Sequence, residues 1–256
     1  MKIYNVYKKI GQTPFEALEI LRKKQGISAS AKLTYAGRLD PMANGVLLVL
    51  QGATQTKREK YIALGKVYRA QILLGLSTDS YDLLGLPTGK FNSVKVEEKL
   101  KKEDLTKVIK SFKGKIELPI PPYSSVIYKG KPLFEWARKG KLEIKDLPKR
   151  PMEIKKIKFL GSKDITFVKL LKYIQISIKK VKGDFRQEKI LKVWKKLLSP
   201  TPGKYQLIDI QVKCASGTYI RSMANEFGKK LGTKATLFSL ERLSVGKYKG
   251  KDSLKI

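Results

Sequence analysis

The sequence predicts an α+β fold with a mixed, largely antiparallel sheet and flanking helices. Strand-like and helix-like patterns are interspersed along the 256 residues without the strict strand–helix alternation of a doubly wound sheet. Hydrophobic residues make up 42% of the chain, which is enough for a sizeable core. The glycine patterns of the dinucleotide fingerprint and the P-loop are both missing, so neither nucleotide-binding class has support.

The first half of the pattern begins with a strand at residues 3–7. Residues 13–16 then carry a capping box with proline at the first helical position, and apolar residues at helical spacing continue as far as Gly26. Residues 28–45 have no hydrophobic period and are interpreted as a loop. Residues 46–50 are uniformly apolar, which predicts a buried strand.

The middle of the chain continues this alternation of helices and strands. A short helix is predicted over residues 54–64 and a strand over residues 66–74. Residues 78–89 are rich in turn formers. Further helices are predicted at residues 105–112 and 132–139.

Residues 162–204 differ from the rest and are interpreted as a Lys-rich insertion within a single domain of residues 1–256. Isoleucines alternate with polar residues over 173–179, as in a strand, and residues 186–198 form a basic amphipathic pattern around Trp194. After the insertion come a strand, a helix and a strand at residues 205–214, 219–231 and 237–245.

The charge of the chain favours a polyanionic partner. Its 55 Lys and Arg residues and 22 Asp and Glu residues give a formal net charge of +33. Nucleic acid is the first expectation, because each phosphate that a protein neutralises releases a counterion. The excess is mostly lysine spread over the whole chain, so a generally lysine-rich surface is the alternative.

The absence of histidine and the single cysteine exclude several kinds of site. Without histidine there is no Ser-His-Asp triad and no imidazole base, so proton transfer falls to Asp, Glu, Lys or Tyr. Cys214 alone forms no internal disulfide and no thiolate cage for zinc, which suits a reducing compartment. The longest apolar run, residues 46–50, is far shorter than the roughly 20 residues of a membrane span, so we expect a cytoplasmic protein.

The loop before the buried strand reads Gly37-Arg38-Leu39-Asp40-Pro41 and resembles the aspartate loop of the pseudouridine synthases, more closely that of the TruB family, which modifies the T loop of tRNA. Similar motifs follow one another in family order over nearly the whole chain. They are Lys8-Lys9-Ile10-Gly11-Gln12-Thr13-Pro14, Gly45-Val46-Leu47-Leu48, Gly52-Ala53-Thr54, Lys66-Val67-Tyr68-Arg69-Ala70, Ser77-Thr78-Asp79, Pro121-Pro122-Tyr123-Ser124-Ser125, Trp136-Ala137-Arg138-Lys139-Gly140, Ser216-Gly217-Thr218-Tyr219-Ile220-Arg221 and Leu240-Glu241-Arg242-Leu243.

The resemblance implies a role for each of four residues. Asp40 is implied as the nucleophile, which attacks either C6 of the uracil or C1′ of the ribose. Arg221 is implied to pair with Asp40 and to keep it ionised. Tyr68 is implied to stack on the flipped uracil and to help remove the C5 proton, and Leu240 to line the base pocket.

Five further residues are expected to contact RNA. Lys8, Tyr123 and Arg138 lie inside family motifs, and a basic side chain there can neutralise phosphate. Tyr35 stands where the family has histidine, which keeps an aromatic surface but loses the imidazole. Arg38 creates a Gly-Arg-Leu-Asp string that is also similar to rRNA pseudouridine synthases.

The resemblance thus implies an isomerase that converts the T-loop uridine at tRNA position 55 to pseudouridine, with no metal or organic cofactor. The expected partner is the T-arm stem-loop, bound by a monomer without a separate C-terminal RNA-binding domain. We expect the insertion to compensate by gripping the tRNA backbone. Two alternatives stay open: the same chemistry on rRNA or another stem-loop, and a non-enzymatic RNA-binding or RNA-folding protein on the same scaffold.

Overall fold

A computed structural model of the chain describes residues 1–88, 100–199 and 202–256. The strands in these residues are β1 (Lys2–Lys8), β2 (Leu33–Ala36), β3 (Ala43–Gln51), β4 (Lys66–Leu74), β5 (Ser77–Thr78), β6 (Pro87–Thr88), β7 (Gly114–Pro119), β8 (Ile127–Tyr128), β9 (Lys131–Pro132), β10 (Lys149–Thr166), β11 (Lys204–Cys214), β12 (Ala235–Val245), β13 (Tyr248–Lys249) and β14 (Leu254–Lys255). The helices are α1 (Pro14–Lys24), α2 (Gln55–Ala63), α3 (Lys102–Ser111), α4 (Leu133–Arg138), α5 (Phe167–Lys179), α6 (Gln187–Leu198) and α7 (Ile220–Lys230). Gly89 of the predicted turn segment and residues 200–201 of the predicted insertion lie outside the described residues.

One large sheet organises the fold, with the strand order β14-β1-β3-β12-β4-β11-β10-β7. The short strands β2 and β13 pair with β3 and β12. Only the pairs β1–β14 and β3–β12 among the described strands of this sheet are parallel, and its remaining pairs are antiparallel. The predicted class, α+β with a mixed, largely antiparallel sheet, is confirmed.

The two faces of the sheet carry different helices. On one face α3 and α7 pack against alternate residues of β4 and β11, including Ala70 and Ile72. On the other face α5 and α6 enclose a second cluster, which contains the fully buried Trp194 and also Leu83 and Leu84. None of the helices in the described part of the chain is long and apolar enough to cross a membrane.

Local sequence signals correctly predicted many of these elements. The capping box forms as expected, because Thr13 Oγ1 accepts from the Glu16 amide at 3.1 Å and Glu16 Oε2 accepts from the Thr13 amide at 2.7 Å. The strands at residues 46–50, 66–74 and 205–214 correspond to β3, β4 and β11.

Two of the sequence interpretations are wrong, and β7 and β10 were not predicted. Residues 28–45 are not entirely loop, because Leu33–Ala36 forms β2 against β3. The alternating residues 173–179 are helical, as the end of α5, because burial of Leu170, Ile174 and Ile178 against α6 follows the helical period. Strand β10 also runs to Thr166, so the segment that leaves the sheet starts at residue 167.

Candidate active site

A cleft of about 980 Å³ lies where the centre of the sheet meets the N-terminus of α7. The loop before β3 forms its floor with Asp40, and the strands β4 and β12 contribute Tyr68 and Leu240. Arg221, from the first turn of α7, enters from the side. The cleft therefore brings together the four residues that the sequence predicts for the centre of the site.

The loop around Asp40 is held on both sides by backbone hydrogen bonds. The Gly11 amide donates to the Pro41 carbonyl at 2.8 Å, and the Ala43 amide donates to the Asp40 carbonyl at 3.0 Å. Gly37 has a φ of +78°, a conformation that glycine adopts without steric cost. The Asp40 side chain stays 38% exposed, so its carboxylate is accessible from the cleft.

Arg221 anchors the Asp40 carboxylate. Its Nη2 donates to Asp40 Oδ1 at 3.2 Å, and its Nε lies 2.9 Å from Oδ2, an ionic contact whose angle is too bent for a hydrogen bond. The remaining donors of the guanidinium bind the carbonyl oxygens of Ser80 and Tyr123. A buried guanidinium in this position fixes the direction of the carboxylate.

A second carboxyl group, that of Asp82, lies near Arg221. Its Oδ2 is 3.9 Å from Arg221 Nε, and its Oδ1 accepts from Ser80 Oγ at 2.7 Å and from the Leu84 amide at 3.0 Å. Burial raises the pKa of Asp82, although Arg221 opposes this shift. Burial alone would lower the pKa of Arg221, but Asp40 and Asp82 outweigh it and raise that pKa. Arg221 is therefore a permanent cation between two carboxyl groups.

Arg242 supports the same loop from beneath and is 1% exposed. It donates from Nε to the Val46 carbonyl at 2.6 Å, from Nη1 to the Arg38 carbonyl at 2.9 Å and from Nη2 to the Gly37 carbonyl at 3.1 Å. Its position on β12 places it two residues after Leu240, on the same face of the strand. The guanidinium thus connects the centre of the sheet to the loop that carries Asp40.

Tyr68 forms an aromatic wall of the cleft. It is 8% exposed, and burial raises the pKa of its hydroxyl, with a smaller opposing effect from Arg242. The phenol is therefore neutral at pH 7. Lys66, two residues earlier on the same face, donates from Nζ to Ser216 Oγ at 3.0 Å, and burial lowers its pKa to about 8.

Of the five residues predicted for RNA contact, four line the cleft. Tyr35 and Arg38 lie on the side of the aspartate loop, and Tyr123 and Arg138 lie opposite. Burial and the neighbouring Asp79 raise the pKa of Tyr123 to about 12, although Arg186 opposes this shift. Arg38 is exposed, so its guanidinium is accessible to an anion.

Lys8 does not line the cleft. It is fully buried, and its Nζ donates to the carbonyl oxygens of Gln12 at 2.6 Å and Lys9 at 3.0 Å. Burial lowers its pKa to about 7, against the attraction of Asp40. In this geometry Lys8 supports the N-terminal loop from inside, and its side chain is not exposed to solvent.

Sequence reasoning did not select Asp82, Arg242 or Lys66. A signal existed for two of them, because strand residues two apart share a face: Arg242 follows Leu240 and Lys66 precedes Tyr68 at that spacing. Asp82 lies in a turn-rich segment and carries no comparable signal. No group of three or more His, Cys, Asp or Glu residues placed to hold a metal occurs within residues 1–88, 100–199 and 202–256.

Comparisons with solved structures support the fold. A chain of a Cbf5-Nop10-Gar1 complex superposes with a TM-score of 0.58 and 19% identity, over 99% of this chain and 52% of that one. A chain of an H/ACA RNP bound to a substrate RNA containing 2′-deoxyuridine gives a TM-score of 0.57 at 17% identity, over 99% and 50%. This chain thus spans about half of each of those chains.

Comparisons of the sequence identify the family. The tRNA pseudouridine synthase B of Clostridium tetani is 31% identical over 99% of this chain and 71% of its own length, and that of Clostridium kluyveri is 31% identical over 99% and 70%. The family model for the N-terminal domain of TruB family pseudouridylate synthases matches residues 22–186. The chain belongs to the TruB family of pseudouridylate synthases.

Proposed function

We propose that the protein is a tRNA pseudouridine synthase that converts the T-loop uridine at tRNA position 55 to pseudouridine. The observation that carries the proposal is the ion pair between Asp40 and Arg221 at the floor of a cleft walled by Tyr68. Relatives that align over 99% of this chain are named tRNA pseudouridine synthase B. The overall reaction is an isomerisation, so it needs no external oxidant, reductant or leaving group.

In the proposed reaction the target uridine leaves its stack and enters the cleft, where Asp40 is accessible. The ionised carboxylate attacks the nucleotide at C6 or C1′, and the glycosidic N1–C1′ bond breaks. The uracil turns within the cleft and rejoins the ribose through a new C5–C1′ bond. Loss of the C5 proton, with gain of a proton at N1, restores the neutral base and frees Asp40.

Arg221 supplies the electrostatic part of this mechanism. Because it is buried and always charged, it orients the Asp40 carboxylate before RNA binds, so little reorganisation is needed at the moment of attack. The carboxyl group of Asp82 also lies close to Arg221, with its Oδ2 3.9 Å from the same Nε atom. Arg221 and Asp82 are thus proposed as positioning residues, and Asp40 as the catalytic one.

Tyr68 and Leu240 are proposed to hold the flipped base. The Tyr68 ring gives a stacking surface, and Leu240 adds an apolar contact at 7% exposure. Because burial keeps the Tyr68 phenol protonated, we assign it to hydrogen bonding and to relay of the C5 proton. It does not rest as a free phenolate base.

The entrance of the cleft is proposed to bind the T-arm stem-loop. Arg38 and Arg138 are placed to contact phosphates, while Tyr35 and Tyr123 offer aromatic surfaces to neighbouring bases. We propose that the protein acts as a monomer with a single catalytic domain. We place the reaction in the cytoplasm, as befits a tRNA-modifying enzyme.

The decisive experiment is tritium release from an unmodified tRNA transcript labelled at uridine C5. We expect the wild type to release tritium and Asp40→Asn to release none while still binding tRNA. A transcript in which the T-loop uridine is replaced by cytidine is the matched substrate control. Pseudouridine mapped at another site or in rRNA would overturn the tRNA assignment, and binding without release by the wild type would indicate a non-enzymatic RNA-binding protein.

A further inference from the structure

The α5–α6 segment (residues 167–199) contributes directly to the cleft. The turn between its two helices places Asp184, Phe185 and Arg186 in the cleft wall. One side chain braces this turn, because Gln187 Nε2 donates to the carbonyl oxygens of Val181 and Gly183. The turn is therefore an ordered part of the cleft entrance.

Ion pairs connect this turn to two other walls of the cleft. Arg186 Nη1 lies 2.8 Å from Asp79 Oδ2, and the Arg186 guanidinium stacks 4.1 Å from the centre of the Tyr123 ring. Arg138 Nη1 lies 3.3 Å from Asp184 Oδ2. The turn thus contacts two of the residues proposed to meet RNA, Tyr123 and Arg138.

Close packing fixes the position of the helices themselves. At the end of α5, a Cβ on Gly11 would lie 2.5 Å from Lys180 Cβ, so the segment packs directly on the loop next to Asp40. In α6, Trp194 is fully buried and its Nε1 donates to the Gly85 carbonyl at 3.2 Å. The outer face of α6 is thereby held in a fixed relation to the cleft.

That outer face is strongly basic. The exposed side chains of α6 are one glutamate, Glu188, and four lysines, Lys189, Lys192, Lys195 and Lys196. Within the described part of the chain none of these lysines forms an ion pair. Helical geometry places Lys189, Lys192 and Lys196 on one side of the helix over about 10 Å.

We propose that the α5–α6 segment is an extension of the RNA-binding cleft, in which the exposed lysines of α6 bind phosphates of tRNA outside the flipped nucleotide. The proposal rests on the proposed function, since it assumes a tRNA in the cleft. Two observations favour an RNA backbone as the occupant. The helix α6 begins one residue after the cleft-wall residue Arg186, and its exposed face carries four lysines that form no ion pair with the residues that the structure describes. Apolar docking is disfavoured because the aromatic residue of α6, Trp194, is buried.

The test compares two variants that each remove four positive charges. The first variant changes Lys189, Lys192, Lys195 and Lys196 to glutamine. The control variant changes to glutamine four other lysines that are exposed and do not line the cleft, Lys23, Lys24, Lys249 and Lys251. Binding of an unmodified tRNA transcript is measured by fluorescence anisotropy across a salt series. All eight side chains are at the surface, and thermal melting checks that both variants fold.

We expect the α6 variant to lose at least about ten-fold in tRNA affinity near 0.1 M salt, with a log–log salt slope reduced by about 2–3. The control is expected to change affinity by less than about three-fold. In the pseudouridine assay the α6 variant should show a larger increase in KM than decrease in kcat. An equal effect of the two variants, or an unchanged salt slope in the α6 variant, would overturn the proposal.

The binding measurement separates this proposal from the proposed function. If the wild type forms no pseudouridine, the enzymatic assignment fails, yet the salt slopes still decide whether α6 binds RNA. If the wild type is active and the α6 variant binds tRNA as tightly as the control, only the RNA-binding extension fails. If the variant with four substitutions in α6 melts at a lower temperature than the wild type, a double variant replaces it. Lys189→Gln with Lys196→Gln is then compared with Lys23→Gln with Lys251→Gln.

Discussion

The Arg242 Nη1 group donates to the Arg38 carbonyl oxygen at 2.9 Å and so connects strand β12 to the loop that carries Asp40. The two residues are 204 positions apart in the chain. Together with the contacts to Gly37 and Val46, one guanidinium satisfies three carbonyl oxygens around the floor of the cleft. The position of Asp40, the proposed nucleophile, therefore depends on a residue that does not touch it.

Replacement of this guanidinium by an ammonium should damage both stability and catalysis. Arg242→Lys cannot reach all three carbonyl oxygens, so at least one stays buried without a partner, which costs about 1–3 kcal/mol of unfolding free energy. Single-turnover pseudouridine formation should fall more than tRNA affinity. Urea unfolding and tritium release measure the two effects.

Arg69→Lys is the matched control for this change. Arg69 makes an exposed ion pair with Asp209, so its replacement should cost less than about 1 kcal/mol. Equal unfolding free energies for Arg242→Lys and Arg69→Lys would contradict the role assigned to Arg242.

Tyr68→Phe should separate stacking from proton transfer. The ring remains, so tRNA affinity should stay within about two-fold, whereas loss of the hydroxyl should lower the single-turnover rate by about 100-fold or more. Tyr35→Phe, on the opposite side of the cleft, is the control and should leave the rate near that of the wild type. A Tyr68→Phe enzyme with the wild-type rate would exclude the hydroxyl from the reaction.

Lys8 should make the free energy of unfolding depend on pH. Burial lowers its pKa to about 7 in the folded protein, against about 10.4 in the unfolded chain. Between these values the unfolded state binds one more proton, so stability rises with pH; below about pH 7 both states are protonated and the full penalty of the buried ammonium applies.

Comparison of the wild type with Lys8→Met isolates this contribution. From pH 7 to pH 10 the wild type should gain up to about 4 kcal/mol relative to the variant. The effect of Lys66, which has the same sign, is common to both proteins and cancels. Urea unfolding at about pH 7, 8.5 and 10 measures the difference, and parallel pH profiles would show that Lys8 is not buried as described.

Gly45→Ala should disrupt the centre of the sheet. Gly45 has a φ of +111°, and a Cβ there would lie 2.3 Å from the Arg242 carbonyl oxygen, where the parallel strands β3 and β12 meet. We expect a loss of more than about 2 kcal/mol in unfolding free energy, or insoluble protein. Gly65→Ala is the control, because its Cβ would be 3.4 Å from the nearest atom, and it should melt close to the wild type.

The sequence predicted elements best where local signals decide the structure. The helix α1 follows from the Thr13 capping box, and β4 follows from alternation around Tyr68. The end of α5 was assigned wrongly because Ile174, Ile176 and Ile178 alternate as in a strand, while the packing that selects the helix comes from α6. A pattern within seven residues does not contain that partner.

The candidate site likewise contains residues that local motifs predict and residues that only tertiary contacts reveal. Asp40 and Arg221 lie in recognisable motifs, and the structure brings them together as the resemblance implies. Asp82 and Arg242 are buried polar residues whose roles depend on partners far away in sequence, namely Arg221 for Asp82 and the carbonyl oxygen of Arg38 for Arg242. Their importance becomes visible only when the loop and the strand are seen in contact.

The distance along the chain between Asp40 and Arg221, 181 positions, has a consequence for synthesis. A ribosome that adds roughly 5–20 residues per second needs about 10–40 s to pass from one codon to the other. Throughout that interval the emerging chain carries its carboxylate without the guanidinium that orients it. The site is therefore completed late in synthesis. It forms only when α7 and β12 have left the ribosome and packed against the part of the chain that carries Asp40.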